Sequence, residues 1–454
     1  MNDFDVIVIG GGSAGSSAAR AAQRCGARTA MINDGELGGL CILRGCMPTK
    51  TMLTSAHLLY EATHAEELGL RFTGELRADF TAIMSRKDEL VARFQRAKMA
   101  SIEKEDYELI SGRARFTTGG SLEVGGQRLR AAKYIIATGS VPVMLAIPGL
   151  EEVPVLTSDE VIRLPSAPAS LVVLGAGAIG LELGQFFARI GTEVLLVNRS
   201  PLLSKMDPHC GVQLRQALSE EPQMRVIAPG RIERVRRDGK EIVFELCEGE
   251  RRWEHRAEAF LMAVGRRAAL DGLGIEHLGL DTFGAGLTHD LRMRSSHPDV
   301  YVAGDATGQH QILHIANQEG IAAGRNAAGV EPAETVDYRL KMSVVFSDPA
   351  FAQVGMSEAE AKQARVPYAY GEVKLAQTGR AITMGTRFGI WRLMAHAETG
   401  EILGSSLLGP RADDLIHIIS VLMAQRAKVR EIFKMPWYHP TLSEVILNLA
   451  RELS

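Results

Sequence analysis

The stretch FDVIVIGGGSAG, residues 4–15, decides the fold of the first part of the chain. A short apolar run of strand length ends at Gly10, Gly12 and Gly15, and a helix-forming segment, SSAARAAQR, follows. Strand, glycine turn and helix in this order form the GxGxxG pattern of a dinucleotide-binding fold, in which the start of the helix faces a pyrophosphate. The sequence therefore predicts a nucleotide site at this turn.

The same pattern returns 165 residues later. The apolar run SLVVL leads to Gly175, Gly177 and Gly180, and a second helix-forming segment follows. One such match is weak evidence, but two in full strand–turn–helix context indicate two nucleotide folds in one chain. We predict an α/β protein with two Rossmann-like dinucleotide-binding domains.

Both copies depart from the pattern at the position that usually binds a ribose. An acid is expected roughly 20 residues after the glycines, but Asn33 stands there in the first copy, followed by Asp34. In the second copy Asn198 is followed by Arg199 and, six residues later, by Lys205. Loss of the acid and gain of two cations favour the 2′-phosphate of NADPH over NADH. The alternative is that both cations are ordinary solvated loop charges.

A cysteine pair follows the first fold, in GGLCILRGCMPTK. Cys41 and Cys46 are five residues apart, a spacing of roughly 8–9 Å on an ideal helix, beyond the reach of about 7 Å that a disulfide tolerates. A bridge therefore needs irregular backbone, which Gly39 and Gly45 can supply. A helix start here would favour the thiolate. The pattern predicts a redox-active disulfide; the alternative is two small buried cysteines.

The composition is that of an ordinary globular protein, with 46% hydrophobic and 23% charged residues among 454 and a net charge of −3. This charge gives no indication of nucleic acid or an anionic membrane as a partner. The other three of the five cysteines have no close neighbour in sequence, which argues against a secreted disulfide framework and favours the reducing cytoplasm. No metal site is predicted.

The two nucleotide folds and the thiol pair together indicate the cofactors. A nicotinamide delivers a hydride, whereas a disulfide exchanges electrons through thiol chemistry, and a flavin connects the two. Because the cysteine pair follows the first fold, we place FAD there, and NADP(H) or NAD(H) in the second fold.

These motifs resemble those of the flavoprotein pyridine nucleotide-disulfide oxidoreductase family, in the right order and over nearly the whole chain. Other segments that resemble the family's are YIIATGSVP (134–142), AVGRR (263–267), VYVAGDATG (300–308), VVFSDPAFAQVG (344–355) and WYHPTLSE (437–444).

The resemblance implies roles for individual residues. Cys46 would be the charge-transfer thiol beside the flavin, and Cys41 the interchange thiol that meets the substrate sulfur. Lys50 and Glu182 match a pair near the flavin and the nicotinamide. The remaining cofactor contacts would involve Gly39, Ala114, Thr138, Gly139, Gly265, Asp305 and Leu313.

His439 and Glu444 match the family's catalytic base and its carboxylate partner. Thiol–disulfide exchange needs a group that takes and returns a proton near neutral pH, as histidine does. We predict that Pro440 lies in the first turn of a helix, which would bring Glu444 within reach of the imidazole. In the family this histidine comes from the other subunit, so the resemblance implies a homodimer with shared sites.

The resemblance also implies the domain organisation. The FAD-binding part would comprise residues 1–145 and 270–338, the nicotinamide domain 146–269, and an α+β dimerisation domain 339–454. The segment 51–105 is predicted to be mostly helical from its apolar spacing.

Within the family the chain is most similar to dihydrolipoamide dehydrogenase, which would make its substrate a dithiol, on a lipoylated carrier protein for instance. The alternative is an NADPH-dependent reductase of a low-molecular-weight disulfide of the glutathione or mycothiol type. Mercuric reductase fits less well, because no cysteine follows Cys247 to form that enzyme's C-terminal pair. A non-catalytic flavin subunit would not need both cysteines, His439 and Glu444. Trp437 stands where the dehydrogenases usually have a second histidine; with Tyr438 it would reshape the substrate pocket or pack the dimer interface.

Overall fold

Strands and helices alternate around both glycine motifs, in a computed structural model that describes residues 3–71 and 73–454. The α-helices are α1 (Ser13–Arg24), α2 (Gly39–Leu43), α3 (Cys46–Thr63), α4 (Phe80–Ile102), α5 (Ser158–Val161), α6 (Ala178–Arg189), α7 (Pro208–Leu218), α8 (Leu313–Ala327), α9 (Glu358–Ala364), α10 (Gly379–Thr383), α11 (Ala412–Ala424), α12 (Val429–Ile432) and α13 (Val445–Glu452). The β-strands are β1 (Phe4–Ile9), β2 (Thr29–Asn33), β3 (Glu108–Ser111), β4 (Ala114–Phe116), β5 (Leu122–Val124), β6 (Gln127–Leu129), β7 (Ala131–Ile136), β8 (Ser140–Pro142), β9 (Ser170–Leu174), β10 (Glu193–Val197), β11 (Met224–Ile227), β12 (Arg231–Asp238), β13 (Glu241–Glu248), β14 (Arg251–Ala257), β15 (Ala259–Met262), β16 (Arg266–Ala268), β17 (Thr282–Phe283), β18 (Gly286–Leu287), β19 (Val300–Val302), β20 (Met342–Val345), β21 (Ala350–Gly355), β22 (Tyr368–Lys374), β23 (Ile390–His396) and β24 (Ile402–Gly409).

The chain divides into two compact units. Unit 1 contains the described parts of Met1–Pro48, Ser85–Val143 and Gly265–Asp337. Its parallel sheet has the strand order β19-β7-β1-β2-β3. The order reverses between β1 and β7, and ligands of such sheets bind beyond the carboxyl ends of the strands at this reversal. The first glycine turn follows β1, so the sheet places it at that point.

Unit 2 contains the described parts of Thr49–Met84, Met144–Val264 and Tyr338–Ser454. It has a second parallel sheet, β11-β10-β9-β15, and an antiparallel meander, β12-β13-β14. A five-stranded antiparallel sheet, β20-β21-β24-β23-β22, packs against α11 and α13 in the last part of the chain. The predicted fold class is confirmed, and the helical prediction for 51–105 corresponds to α3 and α4.

A close backbone approach requires glycine at the third position of each motif. A Cβ atom on Gly180 would lie 1.8 Å from the carbonyl oxygen of Gly175, and one on Gly15 would lie 1.8 Å from that of Gly10. In contrast, a Cβ atom on Gly177 would meet no heavy atom within 4 Å. Gly180 is therefore needed for the packing of α6 on its own turn, whereas Gly177 leaves open space above the turn.

This contrast gives a matched pair of substitutions. We expect Gly180→Ala to lower the free energy of unfolding by about 3 kcal/mol, because the backbone must move to relieve the overlap. Gly177→Ala should melt at the wild-type temperature and weaken nucleotide binding instead. Thermal unfolding and nucleotide titration of both variants test this, and equal melting temperatures would contradict it.

Candidate redox and nucleotide sites

The two cysteines lie on successive short helical segments. Cys41 is half-buried in α2, and Cys46 is exposed and is the first residue of α3. Between them the helix is interrupted, and a Cβ atom on Gly45 would lie 3.3 Å from the Cα of Cys41. The predicted irregular backbone is confirmed. Cys46 is the first residue of α3, where the dipole of the helix favours a thiolate.

The cysteine segment is held against the first glycine turn. A Cβ atom on Gly39 would lie 2.8 Å from the Cα of Gly12, so the two backbones meet with no room for a side chain. Gly12 is the N-cap of α1 and provides no side-chain cap, and the first turn of α1 carries no acid. The amide groups at the start of α1 thus suit an anionic ligand, and Cys41 lies two residues from Gly39.

Asn33 supports the first glycine turn. Its Oδ1 accepts a hydrogen bond from the Gly11 N–H at 3.0 Å, and its Nδ2 donates to the Gly35 carbonyl at 2.8 Å. Asp34 is exposed. With both ends of the Asn33 amide bonded to the backbone, Asp34 is the better placed of the two predicted residues to reach a ribose hydroxyl.

Asn198 has the same bonding in the second copy. Its Oδ1 accepts from the Ala176 N–H at 3.1 Å, and its Nδ2 donates to the Ser200 carbonyl at 2.6 Å. Arg199 and Lys205 are exposed, and neither forms an ion pair with any residue in 3–71 or 73–454. Their charges are therefore available to a ligand.

Asp305 is held by a chain of hydrogen bonds in unit 1. The Ser140 hydroxyl donates to its Oδ2 at 2.5 Å, and Arg266 Nε donates to the same hydroxyl at 2.9 Å. Burial raises the pKa of the Asp305 carboxyl, although Ser140 and Arg266 oppose the rise. The nearby Thr138 hydroxyl oxygen is buried, and no described residue hydrogen-bonds to it. Beside it, a Cβ atom on Gly139 would face open space.

The three remaining residues predicted to contact a cofactor, Ala114, Gly265 and Leu313, differ in their burial. Ala114 is buried in the core of unit 1, and Leu313 is the exposed first residue of α8. Gly265 has φ +129° and open space where a side chain would be.

Sequence reasoning missed the contribution of α4 to unit 1. A cavity of about 270 Å³ adjoins the loop after β2, and Gln95 Nε2 donates to the Leu37 carbonyl there at 3.2 Å. No local pattern marks these residues, because they meet only in the folded chain. The cavity is lined by Asn33, Gly35, Glu36, Leu37, Gln95, Met99, Leu109 and Ser111.

Lys50 and Glu182 form a close ion pair in unit 2, with 2.7 Å between Nζ and Oε2. The Glu182 side chain is only 3% exposed, and its Oε1 accepts the Phe346 N–H at 3.0 Å. Lys50 Nζ also lies 4.6 Å from the centre of the Phe346 ring. The buried carboxylate is thus satisfied from two sides and fixes the direction of the lysine.

His439 and Glu444 are also paired, with Nδ1 3.0 Å from each carboxylate oxygen. The histidine side chain is 77% exposed, so Nε2 points away from the bonded edge and remains accessible. The prediction that Pro440 begins a helix is wrong, since α13 starts at Val445 with Glu444 as its N-cap. A turn brings the pair together instead, because the Glu444 N–H bonds to the Thr441 hydroxyl at 3.2 Å.

Trp437 and Tyr438 differ from each other. Trp437 Nε1 donates to the Ile432 carbonyl at 2.9 Å, and its ring packs against the core of the last sheet. The Tyr438 side chain projects outward, with the residue 82% exposed. Only Tyr438 is therefore available to a substrate or a second subunit.

A sequence profile described as pyridine nucleotide-disulphide oxidoreductase matches residues 4–320, and one described as the dimerisation domain of the same group matches residues 342–450. The chain belongs to this family. Its members use FAD and NAD(P)H.

Relatives with different names are equally similar. The dihydrolipoyl dehydrogenase of Thermus scotoductus is 33% identical, covering 100% of this chain and 98% of that protein. The mercuric reductase of Streptomyces lividans is 33% identical, covering 97% of this chain and 94% of that protein. The structure of the HOCl-induced flavoprotein disulfide reductase RclA from Escherichia coli matches with a TM-score of 0.84 and 25% identity over 99% of both chains. These relatives establish the family and leave the substrate open.

The residues present fit the family's cofactors. In unit 1 the uncapped start of α1, the Gly12–Gly39 contact and the unbonded Thr138 hydroxyl suit FAD, since they leave donors and space for a ligand. In unit 2 the uncapped start of α6 and the open space at Gly177 suit a nicotinamide dinucleotide. No helix within the described ranges is long and apolar enough to cross a bilayer. Within the same ranges, no three His, Cys, Asp or Glu side chains are grouped to hold a metal.

The exposed His439 provides a prediction. His439→Ala should lower turnover of a disulfide substrate about 100-fold, because a general acid–base contributes at least that factor. The rate at which NADPH reduces the bound flavin should stay at the wild-type value, since that step needs no proton from His439. Stopped-flow and steady-state assays separate the two, and an equal loss in both would contradict the assignment.

Proposed function

We propose that this protein is a homodimeric oxidoreductase that exchanges electrons between NADP(H) or NAD(H) and a dithiol or disulfide through Cys41 and Cys46. The observation that carries the proposal is the His439–Glu444 pair, a carboxylate-oriented imidazole with its other edge exposed. Such a pair has a use in thiol exchange, where one proton must be taken and returned in each cycle.

The exchange step balances within the chain's own residues. In the direction of disulfide reduction, His439 takes the proton of the Cys41 thiol, and the resulting thiolate attacks the substrate disulfide to form a mixed disulfide. The substrate S–S bond breaks, and His439 gives the same proton to the leaving sulfur. Cys46 then attacks Cys41, which releases the second substrate sulfur and forms the Cys41–Cys46 disulfide. The substrate gains two electrons and the cysteine pair loses them. Oxidation of a dithiol runs through the same steps in reverse.

FAD, when bound, supplies the two-electron connection between the nicotinamide and the cysteine pair. Lys50 places a cation whose direction Glu182 fixes, and such a cation stabilises negative charge on a neighbouring ligand. Asp305, Thr138 and the start of α1 would hold the FAD.

A dithiol of the dihydrolipoamide class is the leading substrate, free or on a carrier protein in the cytoplasm. The 33% identity to a dihydrolipoyl dehydrogenase over the full chain and the HPTLSE segment that holds His439 support it.

A second candidate function is the NADPH-dependent reduction of a low-molecular-weight disulfide of the glutathione or mycothiol type. The observation that favours it is the amide of Asn198 in place of an acid, next to the exposed cations Arg199 and Lys205.

Anaerobic reductive titration tests the proposal. Wild-type protein should take up two more electrons per flavin than the Cys41→Ser/Cys46→Ser variant, and should show long-wavelength charge-transfer absorbance at two electrons. Cys25→Ser, outside the motif, is the matched control and should titrate as wild type. Equal electron uptake by wild type and the double variant would sink the proposal. Dihydrolipoamide and each low-molecular-weight disulfide, supplied in turn, then identify the substrate.

Nucleotide choice is tested separately. Removing a charged hydrogen bond costs about 1.5–3 kcal/mol, so Arg199→Ala should raise the KM for NADPH at least about tenfold. The KM for NADH should be unchanged, and Arg237→Ala, an exposed arginine of the β12 strand, should alter neither. An unchanged ratio of the two constants in Arg199→Ala would show that this arginine does not select the nucleotide.

A further inference from the structure

One face of α6 carries three polar side chains that the proposed chemistry does not fully use. Glu182, Gln185 and Arg189 occupy positions i, i+3 and i+7 and therefore lie on the same face. Gln185 exchanges two hydrogen bonds of 2.8 Å with the backbone of Asp348, and the Arg189 side chain is only 2% exposed. This face packs against the part of α3 that follows Pro48 and against the segment 346–348, and these parts belong to unit 2.

Besides the stacking of Arg189 on the Tyr60 ring, two polar side-chain links join this face to α3. The first is Lys50–Glu182, and the second is a contact of 2.6 Å between His57 Nδ1 and Arg189 Nη1. Both partners of the second link lie seven residues after those of the first, about 10.5 Å along each helix. The two helices therefore run in the same direction in this contact. The two links act together with the apolar packing of α3, whose buried Met52, Leu53 and Ala56 belong to the same core as Phe186 of α6.

The segment after β20 ties the two links together. The Phe346 N–H donates to Glu182, and the Phe346 ring lies under Lys50 Nζ. The backbone of Phe346 also hydrogen-bonds to His57. Phe346 therefore contacts both links.

The second link requires an uncharged histidine. Arginine has donors only, so His57 Nδ1 must accept and carry no proton. The Arg189 guanidinium is held by Glu221 Oε1 at 2.6 Å and Asp348 Oδ2 at 3.0 Å, and the Tyr60 ring lies 3.8 Å from its Cζ. The arginine cannot turn away without breaking these contacts.

We propose that His57 and Arg189 are positioning residues that hold the unit 2 part of α3, and with it Lys50, in a fixed direction on α6. The inference rests on the proposed role of Lys50. The contacts of His57 and Arg189 described above are all with protein groups, so both residues would act through the helix.

The link is sensitive to acid. The charged or titratable groups that face His57 are Arg189 from α6, Glu221 after α7, Asp348 after β20 and Tyr60 from α3 itself. Burial, and then the Arg189 charge, lower the pKa of His57 from 6.5, although Asp348 and Glu221 oppose the effect. A histidine with a lowered pKa contributes stability that is present above 6.5 and is lost as pH falls below it. The link should therefore weaken on mild acidification.

Hydrogen exchange of the FAD-loaded, oxidised protein tests the inference without any substrate. After correction for intrinsic rates, wild-type amides in α3 should exchange about tenfold faster at pH about 5.5 than at pH about 7.5. His57→Gln retains a neutral acceptor for Arg189 and a donor for Phe346, so its α3 amides should be equally protected at both pH values. His57→Leu removes the link and should expose α3 at both. His417→Gln, an exposed histidine of α11, should behave as wild type.

A kinetic measurement tests whether the His57–Arg189 contact affects the function of Lys50. His57→Leu should slow flavin reduction by NADPH about tenfold, and His57→Gln should restore the rate. The proposal is overturned if α3 protection in wild type is independent of pH, or if His57→Gln loses protection on acidification as wild type does. The comparison of wild type with His57→Gln decides the matter even where His57→Leu does not fold. Failure of the electron-uptake titration would remove the proposed function and leave this exchange result standing.

Discussion

The approach of Gly39 to Gly12 is the contact on which the cysteine segment depends. No side chain fits between these two backbones, since a Cβ atom on Gly39 would lie 2.8 Å from the Gly12 Cα. Gly12 also caps α1, so a single residue ends the dinucleotide turn and supports the start of α2. Backbone packing thus sets the place of Cys41, two residues further on. Because both sides of this contact are backbone, no side-chain rotation can relieve it. It therefore positions the Cys41 thiol more precisely than a contact through a flexible side chain would.

The same residue type, asparagine, supports the glycine turn in both nucleotide folds. Asn33 and Asn198 make the same pair of bonds in the two copies, accepting an N–H from the glycine turn and donating to a carbonyl two residues on. A carboxylate could accept the first bond but could not donate the second. The amide therefore stabilises the turn and, unlike a carboxylate at the same position, carries no negative charge. The two sites then differ in the charge of the residue that follows the asparagine, which is Asp34 in the first copy and Arg199 in the second.

Local patterns predicted the parts of the structure that depend on neighbours in sequence. The strand–turn–helix units and the helix break at Gly45 follow from glycine spacing and apolar periodicity. The helix at Pro440 was wrong, because Thr441 and Glu444 bond to each other and form a turn that delays the helix to Val445. The contact of His57 with Arg189 could not be predicted, since each residue is unremarkable alone and they are 132 positions apart. Gln95 was missed for the same reason.

The two links between α3 and α6 differ in what protonation does to them. The first link is an ion pair between a lysine and a carboxylate, Lys50 and Glu182. At the far end, an arginine binds an uncharged histidine, the side chain whose charge changes most readily in this range. The contact that we expect acid to weaken therefore lies about two helical turns from Lys50 along α3 and does not involve Lys50. Loss of the His57–Arg189 contact, as proposed above, would thus act on the direction of α3 and reach Lys50 through the helix.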